Sequence, residues 1–98
     1  MILSFKSQGT EYIFDGVNSK AARKTCSESL WKIAIRKLDQ LDSMAELNDL
    51  KIPPGNRLER LSGDRAGQHS IRINDQYRVC FVWSEDGPGE VEIVDYHK

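Results

Sequence analysis

The break at Lys51-Ile52-Pro53-Pro54-Gly55-Asn56 constrains this chain more than any other feature. Adjacent prolines fix φ and remove backbone donors, and the glycine ends any regular run, so neither helix nor strand crosses this point. Before it, apolar residues recur at helical spacing. Leu30, Ile33, Ala34, Leu38, Leu41 and Ala45 form a stripe that Trp31 and Ile35 widen, while Lys32, Arg36, Lys37 and Asp39 fill the outer face. After the break the pattern alternates with the period of a half-buried strand, most clearly in Ser70-Ile71-Arg72-Ile73. The break is too short to link two domains, and 98 residues suffice for one core, so residues 1–98 are expected to form a single domain.

Taken in order, Ile2 to Phe5 reads as a short first strand. Gln8 to Phe14 reads as one or two helical turns ending at Asp15-Gly16, with Gly16 as the C-cap. Val17 to Lys24 is polar and basic, either loop or helix start. Thr25-x-x-Glu28 resembles a capping box, with Ser27 as a rival N-cap, and opens the main helix, Ser27 to Asp42. Met44 to Leu50 is a short helix or turn. Strands follow at Arg57 to Leu61, Gln68 to Ile73, Tyr77 to Trp83 and Val91 to Tyr96, with Ser84 to Gly89 as a loop.

The net charge of -1 does not announce a polyanion partner, but its distribution is uneven. Residues 51–82 carry six basic and three acidic side chains, whereas residues 83–98 carry one basic and five acidic. Every cation from Arg57 to Arg78 is arginine: Arg57, Arg60, Arg65, Arg72 and Arg78. The planar fork of arginine suits phosphate better than the point charge of lysine, although alternating arginines on a strand also serve as plain solvated surface. A three-residue loop, Asn74-Asp75-Gln76, sets Ile71 opposite Val79 and Arg72 opposite Arg78. That register collects Ile71, Ile73, Tyr77, Val79 and Phe81 on one face, with His69 sharing their parity as a structural residue. The other face carries Arg72 and Arg78 side by side, a repulsive pairing that an anion between them would relieve.

Cys26 and Cys80 form no CxxC and lie far apart, so neither a zinc site nor a redox motif is indicated, and Cys80 reads as a small sheet residue. The first residues lack the charged and apolar regions of a signal peptide, and no run approaches the length of a membrane span. The expected location is cytoplasmic, with no membrane partner.

Several stretches together resemble one family. Pro53-Pro54-Gly55-Asn56-Arg57-Leu58-Glu59, Leu61-x-Gly63-Asp64-Arg65-x-Gly67-Gln68, Ser70-Ile71-Arg72-Ile73-Asn74-Asp75-Gln76-Tyr77-Arg78, and the ending Val91-Glu92-Ile93-Val94-Asp95-Tyr96-His97 are similar to the HigB ("host inhibition of growth", or killer) toxins of the RelE/ParE superfamily. The resemblance implies an α+β fold, two N-terminal helices packed on a small, twisted, mostly antiparallel sheet. It implies a bacterial type II toxin that cleaves messenger RNA on the ribosome without a metal or other cofactor. The implied partner is a HigA-like helix-turn-helix antitoxin, through which the pair would bind operator DNA. A ParE-like inhibitor of DNA gyrase on the same scaffold is the alternative, and a copy that only binds its antitoxin is a third. Some members have His at the place of Glu59 and many have Lys at Ser62, so the acid–base assignment in this chain departs from theirs.

Metal-free RNA cleavage needs a base for the 2′-OH, an acid for the leaving 5′-oxygen, and cations on the phosphate. Arg78 and Arg72 fit the cation role, with Arg65 a weaker candidate and Arg60 and Arg57 as further RNA contacts. His97 is the natural acid or base because imidazole titrates near neutrality. Tyr96 suits proton donation or stacking on a base. Asp95 suits orienting His97 or accepting a proton, and Glu59 suits a general base if the site desolvates it.

Overall fold

Apolar stripes before the break and alternating strands after it produce two layers in the computed structural model, which describes residues 1–96. Helices α1 (Gln8–Phe14), α2 (Lys20–Thr25) and α3 (Trp31–Ser43) precede strands β1 (Glu59–Arg60), β2 (His69–Arg72), β3 (Tyr77–Ser84) and β4 (Gly87–Asp95). The strands form an antiparallel sheet in the order β1-β2-β3-β4. Its inner face contributes Ile71, Val79, Phe81, Val91 and Ile93 to a core completed by Ile13, Ala34, Leu38 and Leu41 from the helices. The expected α+β architecture is therefore found, with α2 occupying the stretch left open between loop and helix start. Among the described residues, no helix is long and apolar enough to cross a membrane.

The helix boundaries shift for local reasons. α1 ends as predicted, with Gly16 in the left-handed region at φ 76°. The capping box at Thr25 does not form. Thr25 is still inside α2, where its hydroxyl donates to the Ala21 carbonyl at 2.9 Å. The main helix therefore begins with a 3₁₀ turn at Glu28–Leu30 and becomes α-helical at Trp31, whose indole N–H donates to the Cys26 carbonyl. It also stops at Ser43, so Ala45 falls beyond the stripe and is exposed.

The first predicted strand survives as a single parallel bridge, Phe5 to Val91. β4 is the edge that needs partners. Val91 N–H donates to the Ser4 carbonyl at 3.1 Å, but the next outward N–H, that of Ile93, is taken by the Thr10 hydroxyl at 2.9 Å. α1, capped by Ser7, therefore displaces the N-terminal segment from the edge after one bridge.

The β2–β3 hairpin has the predicted register, including Ile71 opposite Val79 and Arg72 opposite Arg78. Asn74 Oδ1 accepts from the N–H groups of Gln76 and Tyr77, which fixes the three-residue loop. Two other boundaries differ. Arg57 adopts φ 45°, ψ 58°, a left-handed kink that confines the strand expected from Arg57 to Leu61 to two residues. The loop expected at Ser84 to Gly89 is instead a tight turn at Glu85-Asp86, with Ser84 paired to Gly87. A one-residue bulge with Glu90 at φ 47° then restores the inward parity of Val91 and Ile93.

α1 and α2 meet at Gly9. A Cβ built there would lie 1.9 Å from the Thr25 hydroxyl and 2.5 Å from the Ala21 carbonyl oxygen. Gly9→Ala is expected to lower stability by about 1–3 kcal/mol through overpacking. Urea unfolding with an unchanged midpoint would contradict this close approach.

Candidate functional site

The outer face of the sheet is built around Arg78, and it is not the open cationic surface the alternation suggests. Arg78 is 8% exposed. Its Nε donates to Ser70 Oγ at 2.7 Å, and one Nη donates to the Arg57 carbonyl at 2.6 Å. The left-handed kink at Arg57 presents that carbonyl. The remaining Nη lies 3.9 Å from the Glu59 carboxylate, and the guanidinium carbon is 5.9 Å from the centre of the Tyr96 ring. Two edges of the fork are thus fixed to the protein, the third faces Glu59, and the plane of the group lies over the ring of Tyr96. A charged donor held this way needs little reorganisation to meet an anion.

The other predicted residues divide between two faces. Arg72 stands across the hairpin from Arg78 and is ion-paired to Asp75, whose side chain is 98% exposed. Arg65 sits on β4's outer face, donating to Glu92 at 3.0 Å and to Gln68 at 3.1 Å. The Glu92 bond is the main cause that raises its pKa, and the field of Tyr96 contributes. Arg60 does not join them. Its register partner is His69, which stacks on Phe81, so Arg60 belongs to the helix-packed side of the sheet. Asp95 likewise pairs with Tyr77, shares that residue's side, and accepts from Gln76 Nε2 at 3.0 Å. An odd offset along each strand explains both departures. His97 lies outside the described residues.

Three participants carry no obvious sequence signal. Ser70 reads as a solvated residue, yet it is fully buried beneath Arg78. Its parity with Arg72 was the available clue. Glu92 shares Arg78's face and holds Arg65, with Lys6 at 3.9 Å. Asn56 is fully buried at the break and accepts from Lys37 Nζ at 2.5 Å. Cys80 is buried on the same face as Arg78, and burial raises its thiol pKa, which leaves it inert.

A family model described as the RelE-like toxin of the type II toxin-antitoxin system HigB matches residues 3–97. The chain belongs to the HigB-like toxins. It is 38% identical over 98 residues to Toxin HigB-1 of Vibrio cholerae serotype O1, an alignment covering 100% of this chain and 99% of the relative. An uncharacterized protein of Haemophilus influenzae is 38% identical over 58 residues, 59% of this chain and 57% of that protein. Among solved structures, a chain of the YoeB–YefM complex from Staphylococcus aureus matches with a TM-score of 0.59 at 15% identity, covering 100% of this chain and 97% of that chain. At that identity the likeness is one of fold. As a HigB-like toxin, the chain is the toxin of a type II toxin-antitoxin system.

Two measurements test how this toxin's sheet supports the site. Ser70→Ala leaves Arg78 Nε without its buried acceptor and is expected to cost about 1.5–3 kcal/mol, the range for hydrogen bonds to charged groups. Thermal unfolding indistinguishable from the parent would show that Arg78 is not held there. On the inner face, burial, aided by Arg60, lowers the His69 pKa from its ordinary value of 6.5. The unfolded chain then binds a proton that the folded chain refuses, so stability is full above 6.5 and falls as pH drops below it. Urea midpoints should decline between about pH 7 and pH 5, less steeply in His69→Gln. Equal slopes in the two proteins would exclude His69 as the source.

Proposed function

We propose that this toxin is an endoribonuclease that cuts messenger RNA at the ribosome, restrained by a helix-turn-helix antitoxin encoded beside it. The observation that carries the reading is the held guanidinium of Arg78, with one edge facing Glu59 under the ring of Tyr96. In the reaction the 2′-oxygen bonds to phosphorus as the P–O5′ bond breaks. The 2′-proton passes to a base, the electron pair leaves on the 5′-oxygen, and an acid protonates it. The products are a cyclic phosphate and a 5′-hydroxyl. Arg78 stabilises the charge that gathers on the non-bridging oxygens, and Arg72 holds the neighbouring backbone. A phosphate that displaces Glu59 from the outer edge of Arg78 leaves that carboxylate, 52% exposed rather than desolvated, beside the 2′-OH, and Glu59 is assigned the base on that ground. His97 is the acid on the strength of its imidazole, and Tyr96 stacks on a base next to the cut. Asp95 is on the other side of the strand and is left out of this chemistry. An antitoxin partner is supported by family membership and by the structural neighbour's being part of a YoeB–YefM complex. Operator DNA would be met only through that partner.

Arg78 also holds buried hydrogen bonds, so Arg78→Ala removes structure as well as charge. Arg78→Lys is the cleaner variant, because it keeps the charge and loses the fork. Induction of the toxin alone should arrest growth and create new 5′ ends within messages, and coexpression of the adjacent open reading frame should abolish both. Arg78→Lys is expected to lower cleavage on the order of 10²–10³-fold, and His97→Gln about 10²–10⁴-fold. Growth arrest without new RNA ends would refute the nuclease reading.

A further inference from the structure

We propose that Lys37 and Arg72 extend the phosphate-binding surface of Arg78 into a track for the backbone of single-stranded RNA, running from the sheet onto α3. The inference rests on the ribonuclease reading and names the path its substrate takes. In the helical pattern Lys37 belongs to the solvated outer face. In the fold it is only partly exposed, and its ammonium donates to Asn56 Oδ1 at 2.5 Å. Asn56 directly precedes Arg57, whose carbonyl binds Arg78 at 2.6 Å. Lys37 is therefore joined to Arg78 through one short corner of chain. Arg72 stands directly across the hairpin from Arg78. It is also near enough to Lys37 for its charge, after burial and together with Arg36, to lower the lysine pKa.

Lys37 and Arg78 thus meet at the corner of Asn56 and Arg57, with Arg72 across the hairpin from Arg78. Such a cluster is self-repulsive unless something anionic crosses it. The carboxylates facing it do not neutralise it. Asp75 is 98% exposed and makes a weak, exchangeable pair with Arg72, and Glu59 is 52% exposed beside Arg78. Among the described residues no carboxylate pairs with Lys37, whose bonded acceptor is a neutral amide. Its charge and remaining N–H donors stay available. A linear polyanion, with charges at regular intervals, meets several separated cations at once, and single-stranded nucleic acid is bound along such grooves.

The test is binding of a fluorescent single-stranded RNA made uncleavable by 2′-O-methylation, measured by anisotropy over a range of salt concentrations. Each neutralised phosphate of a single strand contributes about 0.7 to the slope of log affinity against log salt. Lys37→Gln should reduce the slope by about that amount, and Lys37→Arg should restore it, with melting curves recorded for both. In the unmodified protein, the same RNA should protect Lys37 from an amine-acetylating reagent while Lys20 on α2 remains reactive, a readout that needs no variant to fold. A wild-type slope in Lys37→Gln, or acetylation of Lys37 unaffected by bound RNA, would overturn the track. Weakened binding by Arg78→Lys in that case leaves the nuclease reading standing. Absence of RNA binding by the unmodified protein would overturn the track, whereas the nuclease reading, which places cleavage at the ribosome, stands or falls with the new 5′ ends in messages.

Discussion

The side chain of Asn56 joins the two halves of this protein. It is fully buried, accepts from Lys37, and donates to Gln40 Oε1 at 2.9 Å and to the Leu50 carbonyl at 3.1 Å. Gln40 Nε2 in turn donates to the Ile52 carbonyl at 2.6 Å. A buried amide left without partners costs about 1–3 kcal/mol per group, so this set of bonds strongly favours one path for the chain as it leaves the helices. That path sets the turn at Pro54–Asn56 and the left-handed Arg57 that follows.

The site inherits its rigidity from this joint. Arg57 gives its carbonyl to Arg78, and Ser70 meets the same guanidinium from the neighbouring strand. β3 is buried on both sides, with Arg78, Val79, Cys80 and Phe81 consecutive and covered. Alternation along a strand would ordinarily leave every second residue in water. Here Arg78 is tied to Ser70 and the Arg57 carbonyl, and Cys80 lies opposite Glu92, which holds Arg65. A cation set in such a floor keeps its direction, which is what electrostatic stabilisation of a reacting phosphate requires.

Charge pairing gives the surface a second property. Arg65 is held by Glu92, Arg72 by Asp75, and Arg78 faces Glu59. Any phosphate that reaches these arginines competes with a carboxylate already present. Contacts of this kind discriminate against a single free anion, in a toxin whose net charge is only -1.

The sequence by itself determined the main helix, the strands that follow the break, the hairpin register and the resemblance to the family. The helix and the register rest on local patterns: the stripe from Leu30 to Leu41, the alternation from Ser70 to Ile73, and a turn whose length leaves one register that keeps the apolar residues together. The family rests instead on the resemblance carried by the stretches from Pro53 to Arg78 and from Val91 to His97. The register also paired Arg72 with Arg78. Only the tertiary structure decided that Arg78 is buried, that Arg60 and Asp95 lie on the other side of the sheet, and that Ser70, Glu92, Asn56 and Lys37 surround the site. Boundaries such as the lost capping box at Thr25 and the single bridge at Phe5 were settled by competition for hydrogen bonds with distant groups. Local sequence specifies the alternation within an element, and pairing with neighbouring strands sets which face that alternation presents. Whether that face meets water, a carboxylate or a buried amide depends on segments tens of residues away, and only packing brings them together.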